Sequence, residues 1–357
     1  MRAGIIAANN IRYSPYIFFY TDILKQIDIQ YELIIPDRNG LDETFDSTLY
    51  TLPWNQAKPT ILNYVKYSNG VRKILHKNQY DVLIVLTSIN AAFLGTWLKK
   101  HYSKRYIVDI RDYTHENIYP YYLLEKEAVE YSLLNVISSQ KFTTFLPKTE
   151  YHVCHNYDEK RMNEELSFQR KEGIISIGYV GGLSYVDQCS KLMRLISQDS
   201  RFSLDFYGTS KEETALKETA KEIQCERIKF YGAYLPDEKE GILKKVDILF
   251  NAYGHGIPLL DCALSNKLYD ALIYRKPILT CNNTYMTEMA GPLAFPIELS
   301  DKNALNDLYN WYQSIDAITI NEYAAKMIES IEKENRTTKQ YIADSILSLK
   351  TGNKHGL

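Results

Sequence analysis

Short apolar runs alternate with longer amphipathic stretches over most of the chain. AGIIAA at 3–8 ends at Asn9 and Asn10, the pattern of a buried parallel strand running into a loop. An aromatic-rich helix is predicted over 15–27, and YELIIP at 31–36 returns as a strand. Beyond a polar connection, Ile61, Val65, Val71, Ile74 and Leu75 supply one apolar face to a helix over 60–78. VLIVLT at 82–87 is the clearest strand of this half; NAAFLGTWLKKH follows as helix and 105–110 as strand. Residues 121–138 then read as helix and FTTFL as strand.

The second half repeats the alternation. Residues 176–181 predict a strand entering a glycine turn, with Asp187 capping a helix over 188–197. SLDFY at 203–207 is a strand closed by Gly208, followed by a helix over 212–224. IKFYG, ending in Gly232, is another strand; a helix near 236–245, the strand VDILFNAY, a helix over 265–274 and the strand KPILTC complete the series. Strands alternating with helices predict parallel α/β sheets. The polar segment 165–173 is the expected interdomain linker. A single helical pattern covers 321–348, with a bend expected near Asn335. It is too long for a routine crossover; it either reaches back to the first domain or forms an exposed or dimerisation helix. The expected division is 1–165, 166–320 and a terminal helix in 321–357.

Composition narrows the functions open to such a chain. Its 357 residues can bury two cores. Lys and Arg number 42 against 44 Asp and Glu, so global charge offers no case for nucleic acid. Cys154, Cys189, Cys225, Cys262 and Cys281 are widely spaced and form no CxxC pair, which argues against a disulfide scaffold or a Cys-rich metal site. The beginning is too polar for a signal peptide, and no long apolar run predicts a membrane span. The expected location is cytoplasmic. YSPYIFFY at 13–20 offers peripheral membrane contact or, as the simpler reading, core residues of the first helix. The 30 tyrosines fit half-buried packing first and sugar-binding faces second.

Candidate chemistry collects at the expected carboxyl ends of the strands, where open parallel sheets bind ligands. Gly181 with Gly182, Gly208 and Gly232 sit there, yet none belongs to a GxGxxG or GxxxxGK[ST] loop. As a set they favour a nucleotide site, and singly each is explained by a turn. Lys267 and Asp270, three apart on one helix, can share a face. They suit phosphate and ribose hydroxyls, or a surface ion pair. In the first half Asp109, Arg111 and Asp112 cluster after a strand, with Tyr113 and His115 beside them. These residues suit sugar or acceptor contacts, or an internal salt-bridge network.

These segments carry a resemblance. DIRD at 109–112 is similar to a D-x-R-D segment, and HNYD, with Asn156 and Asp158, to N-G-x-D. NKLYDALIYRKPI looks like N-K-[LF]-x-E-x-x-x-x-G-[KR]-P-[VI], with Lys267 at the basic position and Asp270 at the ribose-binding acid. With ISIGYVGGLS, LDFYG, IKFYG and VDILFNAY, nearly the whole chain resembles a family 4-like glycosyltransferase of bacterial capsular or surface polysaccharide synthesis. The resemblance implies a GT-B architecture: two Rossmann-like domains facing a cleft, with a C-terminal crossover helix. It implies sugar transfer from a nucleoside diphosphate sugar to a hydroxyl of a glycan or lipid-linked saccharide, generally with retention. No permanent cofactor and no metal are implied. Gly181, Gly182, Gly208, Gly232, Lys267 and Asp270 would bind the donor; Asp109, Arg111 and Tyr113 the acceptor; Asp112, His115 and Lys267 would act in catalysis. The sequence also departs from the family. Leu183 stands where an Arg would, Asp187 near the usual Lys, Arg275 at the usual glycine and Cys262, beside Asp261, at the first acid. Two other functions follow from these departures and the layout: a noncatalytic nucleotide- or glycan-binding partner, and a nucleotide-sugar epimerase or hydrolase.

Overall fold

The computed structural model describes residues 1–54, 59–157 and 166–352. Contacts divide the chain into two compact units, Met1–Asn156 with Lys333–Leu357, and Tyr157–Glu332. The expected boundary at 165/166 and Asp158 of the HNYD segment touch or fall within 158–165, outside the described residues.

The first unit is built on β1 (Arg2–Ile6), α1 (Tyr16–Gln26), β2 (Gln30–Asp37), β3 (Thr48–Pro53), α2 (Ile61–Lys77), β4 (Val82–Leu86) and α3 (Ser88–Tyr102). It continues with β5 (Tyr106–Ile110), α4 (Tyr119–Glu130), β6 (Leu134–Ile137) and β7 (His152–Val153). All pairs are parallel, in the order β3-β2-β1-β4-β5-β6-β7. Strands β4 and β5 are buried along their full length, which is why both read as unbroken apolar runs. One face of the sheet packs Ile5, Leu33, Ile84 and Ile107 against Ile17, Tyr20, Ile342 and Ile346.

The second unit repeats the plan with β8 (Ile175–Val180), α5 (Val186–Gln198), β9 (Phe202–Tyr207), α6 (Glu213–Ile223), β10 (Ile228–Gly232), α7 (Lys239–Lys245) and β11 (Ile248–Phe250). After these come α8 (Pro258–Cys262), α9 (Asn266–Tyr274), β12 (Ile278–Thr280), α10 (Tyr285–Ala290), β13 (Ala294–Pro296), α11 (Ala304–Ser314) and α12 (Ala317–Gly352). Its six parallel strands run β10-β9-β8-β11-β12-β13. Each sheet is therefore Rossmann-like, with strand order reversing between β1 and β4 and between β8 and β11.

Four local expectations are corrected. The helix expected over 121–138 stops at Glu130, and Leu134–Ile137 is a strand. No glycine or proline separates them; instead the Ser132 hydroxyl, 2.8 Å from the Val129 carbonyl, and Asn135, donating to the same oxygen, tie a turn. FTTFL belongs to a 3₁₀ turn over Gln140–Thr144, because Thr143 and Thr144 bond back to the carbonyls of Gln140 and Lys141. Strand β3 gave no apolar signal because it is a half-exposed edge strand. Asp187 is not the cap of α5: Tyr185 holds that position in a left-handed conformation, and Asp187 pairs with Lys191 at 2.8 Å.

Helix α12 runs unbroken through Asn335, where a bend was expected. Its first part packs Ile320, Ala324, Ile328 and Ile331 into the second unit, and Ile342 and Ile346 belong to the core of the first. Asn335 is 2% exposed, a poor helix former in a helix interior, and its side chain explains its place. The Oδ1 atom accepts from the His155 N–H at 2.7 Å, and Nδ2 donates to the His155 carbonyl at 3.2 Å. Thr338 donates to the Val153 carbonyl at 2.6 Å, so the same helix face holds the backbone at β7. Replacing Asn335 strands two buried backbone groups. Asn335→Ala is expected to cost about 2 kcal/mol, whereas Thr337→Ala, on the exposed face, changes stability by less than about 0.5 kcal/mol; urea titration of both variants checks this.

Candidate functional site

In the second unit β8, β9 and β10 end side by side, each at a glycine. Gly181 N–H donates to the Tyr207 carbonyl at 2.9 Å, and Gly208 N–H to the Gly232 carbonyl at 2.7 Å. Gly208 has φ +132°, and a Cβ there would overlap the carbonyl oxygen of Gly181, so this position admits no side chain. Gly182 is followed by Leu183 and has open space around its α-carbon. The glycines singled out from the sequence thus form one bare backbone ledge at the carboxyl edge.

Helix α9 starts beside this ledge. Its cap Ser265 accepts from the Lys267 N–H at 3.2 Å and donates to Oδ1 of Asn251, the residue directly after β11, at 2.6 Å. The first turn of α9 is thereby fixed to the strand at which the sheet order reverses. Lys267 is only 8% exposed. Its ammonium lies 4.7 Å from the ring centroid of Tyr179 and 5.3 Å from that of Tyr253, and 3.5 Å from where a Cβ on Gly181 would sit. Tyr185 stacks on Tyr253 at 4.2 Å and completes this aromatic wall. Burial pushes the Lys267 ammonium down to about 8, Lys239 adds repulsion, and Asp270 and the Cys189 thiol oppose the shift. Among the described residues no carboxylate lies within ion-pair distance of Lys267.

Asp270, 5% exposed, shares the helix but not an ion pair with Lys267. Both of its oxygens lie 2.7 Å from Nζ of Lys239, in the first turn of α7. Sequence reasoning missed Lys239 because its partner is 31 positions away. The available signal was its place in the helix that follows Gly232, on the same carboxyl edge. The departures also acquire a geometry. Leu183 is a core residue, Asp187 is tied to Lys191, and the Asp261 carboxylate accepts from the Gly256 N–H at 2.8 Å. Arg275 caps α9 with φ 51°, a left-handed conformation that glycine adopts without strain.

In the first unit Asp109 and Arg111 of DIRD form a buried pair, and Asp112 stands apart from them. Asp109 is 0% exposed and is bound by Arg111 Nη2 and by the Tyr20 hydroxyl, both at 2.7 Å. Arg111 also donates to the Cys154 carbonyl at 2.8 Å and covers the Tyr16 ring. This is the internal network foreseen as one of two readings of these residues. Asp112 and His115 reach the surface of the next loop, and Tyr113 packs edge-on to Phe145. Although Asp112 is solvent-accessible, the protein around it, with Glu116 adding negative charge, pushes its carboxyl up to about 6; Arg111 opposes this. Glu116, missed from the sequence, is buried below that loop. It accepts from the Thr114 N–H at 2.6 Å and from Ser88, the first residue of α3.

Among the described residues no three His, Cys, Asp or Glu side chains converge in a way that would hold a metal, and no helix is long and apolar enough to cross a membrane. Of the YSPYIFFY residues, Ile17 and Tyr20 are buried, while Tyr13 and Phe18 are exposed.

No family model and no curated protein sequence matches the chain. Solved structures do. A sucrose-phosphate synthase from Thermosynechococcus elongatus aligns with a TM-score of 0.75 at 9% identity, over 98% of this chain and 100% of that one. The apo lipopolysaccharide outer core galactosyltransferase WaaB gives 0.65 at 12% identity, over 96% and 99%. Anabaena HepE, solved with UDP and glucose, gives 0.68 at 13% identity, over 98% and 100%. The chain has the GT-B fold. At such low identity the likeness fixes the GT-B architecture alone.

The glycine ledge gives a direct test of the geometry. Gly208→Ala is expected to lose at least about 2 kcal/mol of stability, because both its φ and the Gly181 carbonyl forbid a methyl group. Gly182→Ala should melt within a degree or two of the parent; calorimetric melting of both variants decides it.

Proposed function

We propose that the chain is a glycosyltransferase that moves a sugar from a nucleoside diphosphate sugar to a hydroxyl of a glycan or lipid-linked saccharide. The observation that carries this reading is Lys267, a nearly buried cation without a carboxylate partner, aimed at the Gly181 ledge where two strand ends and a helix start meet. Such a cation is stabilised by an anion, and the bare backbone and the first amides of α9 admit a diphosphate closely. Asp270 then lies one turn along α9, where it can accept ribose hydroxyl hydrogen bonds. HepE, of the same fold, was solved with UDP and glucose, which makes UDP the first nucleotide to try. The family 4-like resemblance supports the same donor class and bacterial surface polysaccharide as the product class.

In this reading the acceptor oxygen forms a bond to the anomeric carbon while the bond from that carbon to the β-phosphate oxygen breaks. The electron pair leaves on the diphosphate, whose growing charge meets the Lys267 ammonium and the positive end of α9. With retention, the acceptor proton passes to the donor phosphate on the same face. With inversion a base on the first unit would take it, and Asp112 and His115 are the candidates. Tyr113 would contact the acceptor, and Asp109 with Arg111 would hold that loop from below. Diphosphate charge is met by protein groups, so chelators are expected to leave turnover unchanged. The protein would work in the cytoplasm, with Tyr13 and Phe18 at a membrane face when the acceptor is lipid-linked.

A noncatalytic nucleotide-binding protein is the second reading, favoured by Leu183 in the core and by the Asp187–Lys191 pair, which leave Lys267 with little cationic help. Calorimetric titration with UDP, ADP, GDP and their sugar conjugates, followed by product analysis with soluble and lipid-linked acceptors, separates the two. Transfer supports the enzyme; donor binding without transfer or hydrolysis supports the second reading; absence of any nucleotide binding contradicts both. Asp270→Ala should weaken nucleotide binding about tenfold or more.

The Lys267 ammonium sets a pH dependence. Its ordinary value of 10.5 is lowered to about 8, and a bound diphosphate raises it again, so binding takes up a proton above pH 8. Affinity should be flat from pH 6.5 to 7.5, within the protonated range, and fall up to about tenfold per unit above pH 8. Lys267→Met should bind weakly and without that slope.

A further inference from the structure

We infer that Lys239 is a positioning residue that keeps Lys267 free for its anion, by occupying the one carboxylate that would otherwise capture it. This rests on reading the second unit as a nucleotide site. Lys267 and Asp270 stand three apart on α9, the spacing at which a lysine and an aspartate normally meet. They do not pair. Asp270 instead gives both oxygens to the Lys239 ammonium, each at 2.7 Å, and the Lys267 ammonium turns to the faces of Tyr179 and Tyr253 beside Gly181.

The cause is a competition for charge in a site with little water. One carboxylate serves two ammonium groups, and the one that sits on both of its oxygens holds it more strongly. The two cations also repel each other, which drives Lys267 away from α7 and toward the glycine ledge. The groups facing Lys267 are Asp270 on α9, Lys239 on α7, the Cys189 thiol on α5, Tyr179 on β8 and Tyr253 after β11. Only Asp270 among these can carry a negative charge at neutral pH. Remove Lys239 and that charge has a single cation within reach, so Lys267 swings down its own helix onto Asp270. The ledge loses its cation. Lys239 thus acts on the anion site through Asp270, without touching the anion itself.

The test compares Lys239→Met, Lys267→Met, the double variant and Lys239→Arg, using UDP and uridine as probes. Lys239→Met should lose most of the UDP-over-uridine preference, on the order of tenfold, and the double variant should lose no more than Lys267→Met alone. Lys239→Arg should restore the preference. Independent, additive losses in the two single variants would overturn the inference. A ligand-free measurement keeps it separate from the nucleotide reading. In protein carrying carbon-13 dimethyl-lysine labels, one resonance should titrate near pH 8, vanish in Lys267→Met and move to higher pH in Lys239→Met. A resonance that stays near pH 8 in Lys239→Met contradicts the inference whatever the protein binds. If the parent protein binds no nucleoside diphosphate while this resonance moves as expected, the nucleotide reading fails and the role of Lys239 stands.

Discussion

An ammonium group removed from water with no carboxylate paired to it is costly unless something else receives its charge. Lys267 is in that position, and the surrounding structure accounts for how it is tolerated. Two tyrosine faces and the field of Asp270 support it, and the loss of water lowers its proton affinity toward neutral pH. The helix that carries it begins at a serine bonded to the residue after β11, so its place follows from the strand order. Strand β9 ends in a glycine because Gly208 lies against the Gly181 carbonyl. Sheet topology, helix capping and glycine placement together leave one poorly solvated positive charge beside bare backbone. That combination suits a compact anion of high charge.

The carboxyl edge of the first unit is organised differently. There the charged groups nearest the sheet, Asp109 and Arg111, satisfy each other and are closed in by Tyr16 and Tyr20. A buried, mutually bonded pair of this kind fixes a loop and offers no charge to a ligand. What that loop presents to solvent is the Asp112 carboxyl with Tyr113 and His115, over a buried Glu116. Such a surface suits hydroxyl-rich ligands better than phosphates. The two edges therefore differ in chemistry although their sheets share a strand order.

Much of this was legible in the chain. Strands buried on both faces, such as Val82–Leu86 and Tyr106–Ile110, announce themselves as apolar runs, and the alternation with helices gave the parallel α/β plan. The edge strand Thr48–Pro53 did not, since its half-exposed positions carry no run. Elements bounded by side-chain bonds were misjudged: Ser132 with Asn135 cuts a helix that hydropathy alone would continue, and Thr143 with Thr144 turns a strand-like segment into 3₁₀. Asn335 was noticed as a break in pattern, but its partner, the backbone of His155, is 180 positions away. The same limit applies to the sites. Adjacent residues such as Lys267 and Asp270 could be proposed together, whereas the ion pair Lys239–Asp270 depends on two helices meeting in space. Leu183 and Arg275 were visible only as departures; their burial and backbone conformation show what each does instead.

In the proposed function a nucleoside diphosphate sits on the glycine ledge against Lys267. Hydrogen exchange of the intact protein, with and without saturating UDP, tests it most directly. Exchange should slow in peptides spanning residues 181–186, 208–210 and 265–270, and that protection should be lost in Lys267→Met. Protection confined to other segments, or identical in Lys267→Met, would contradict it.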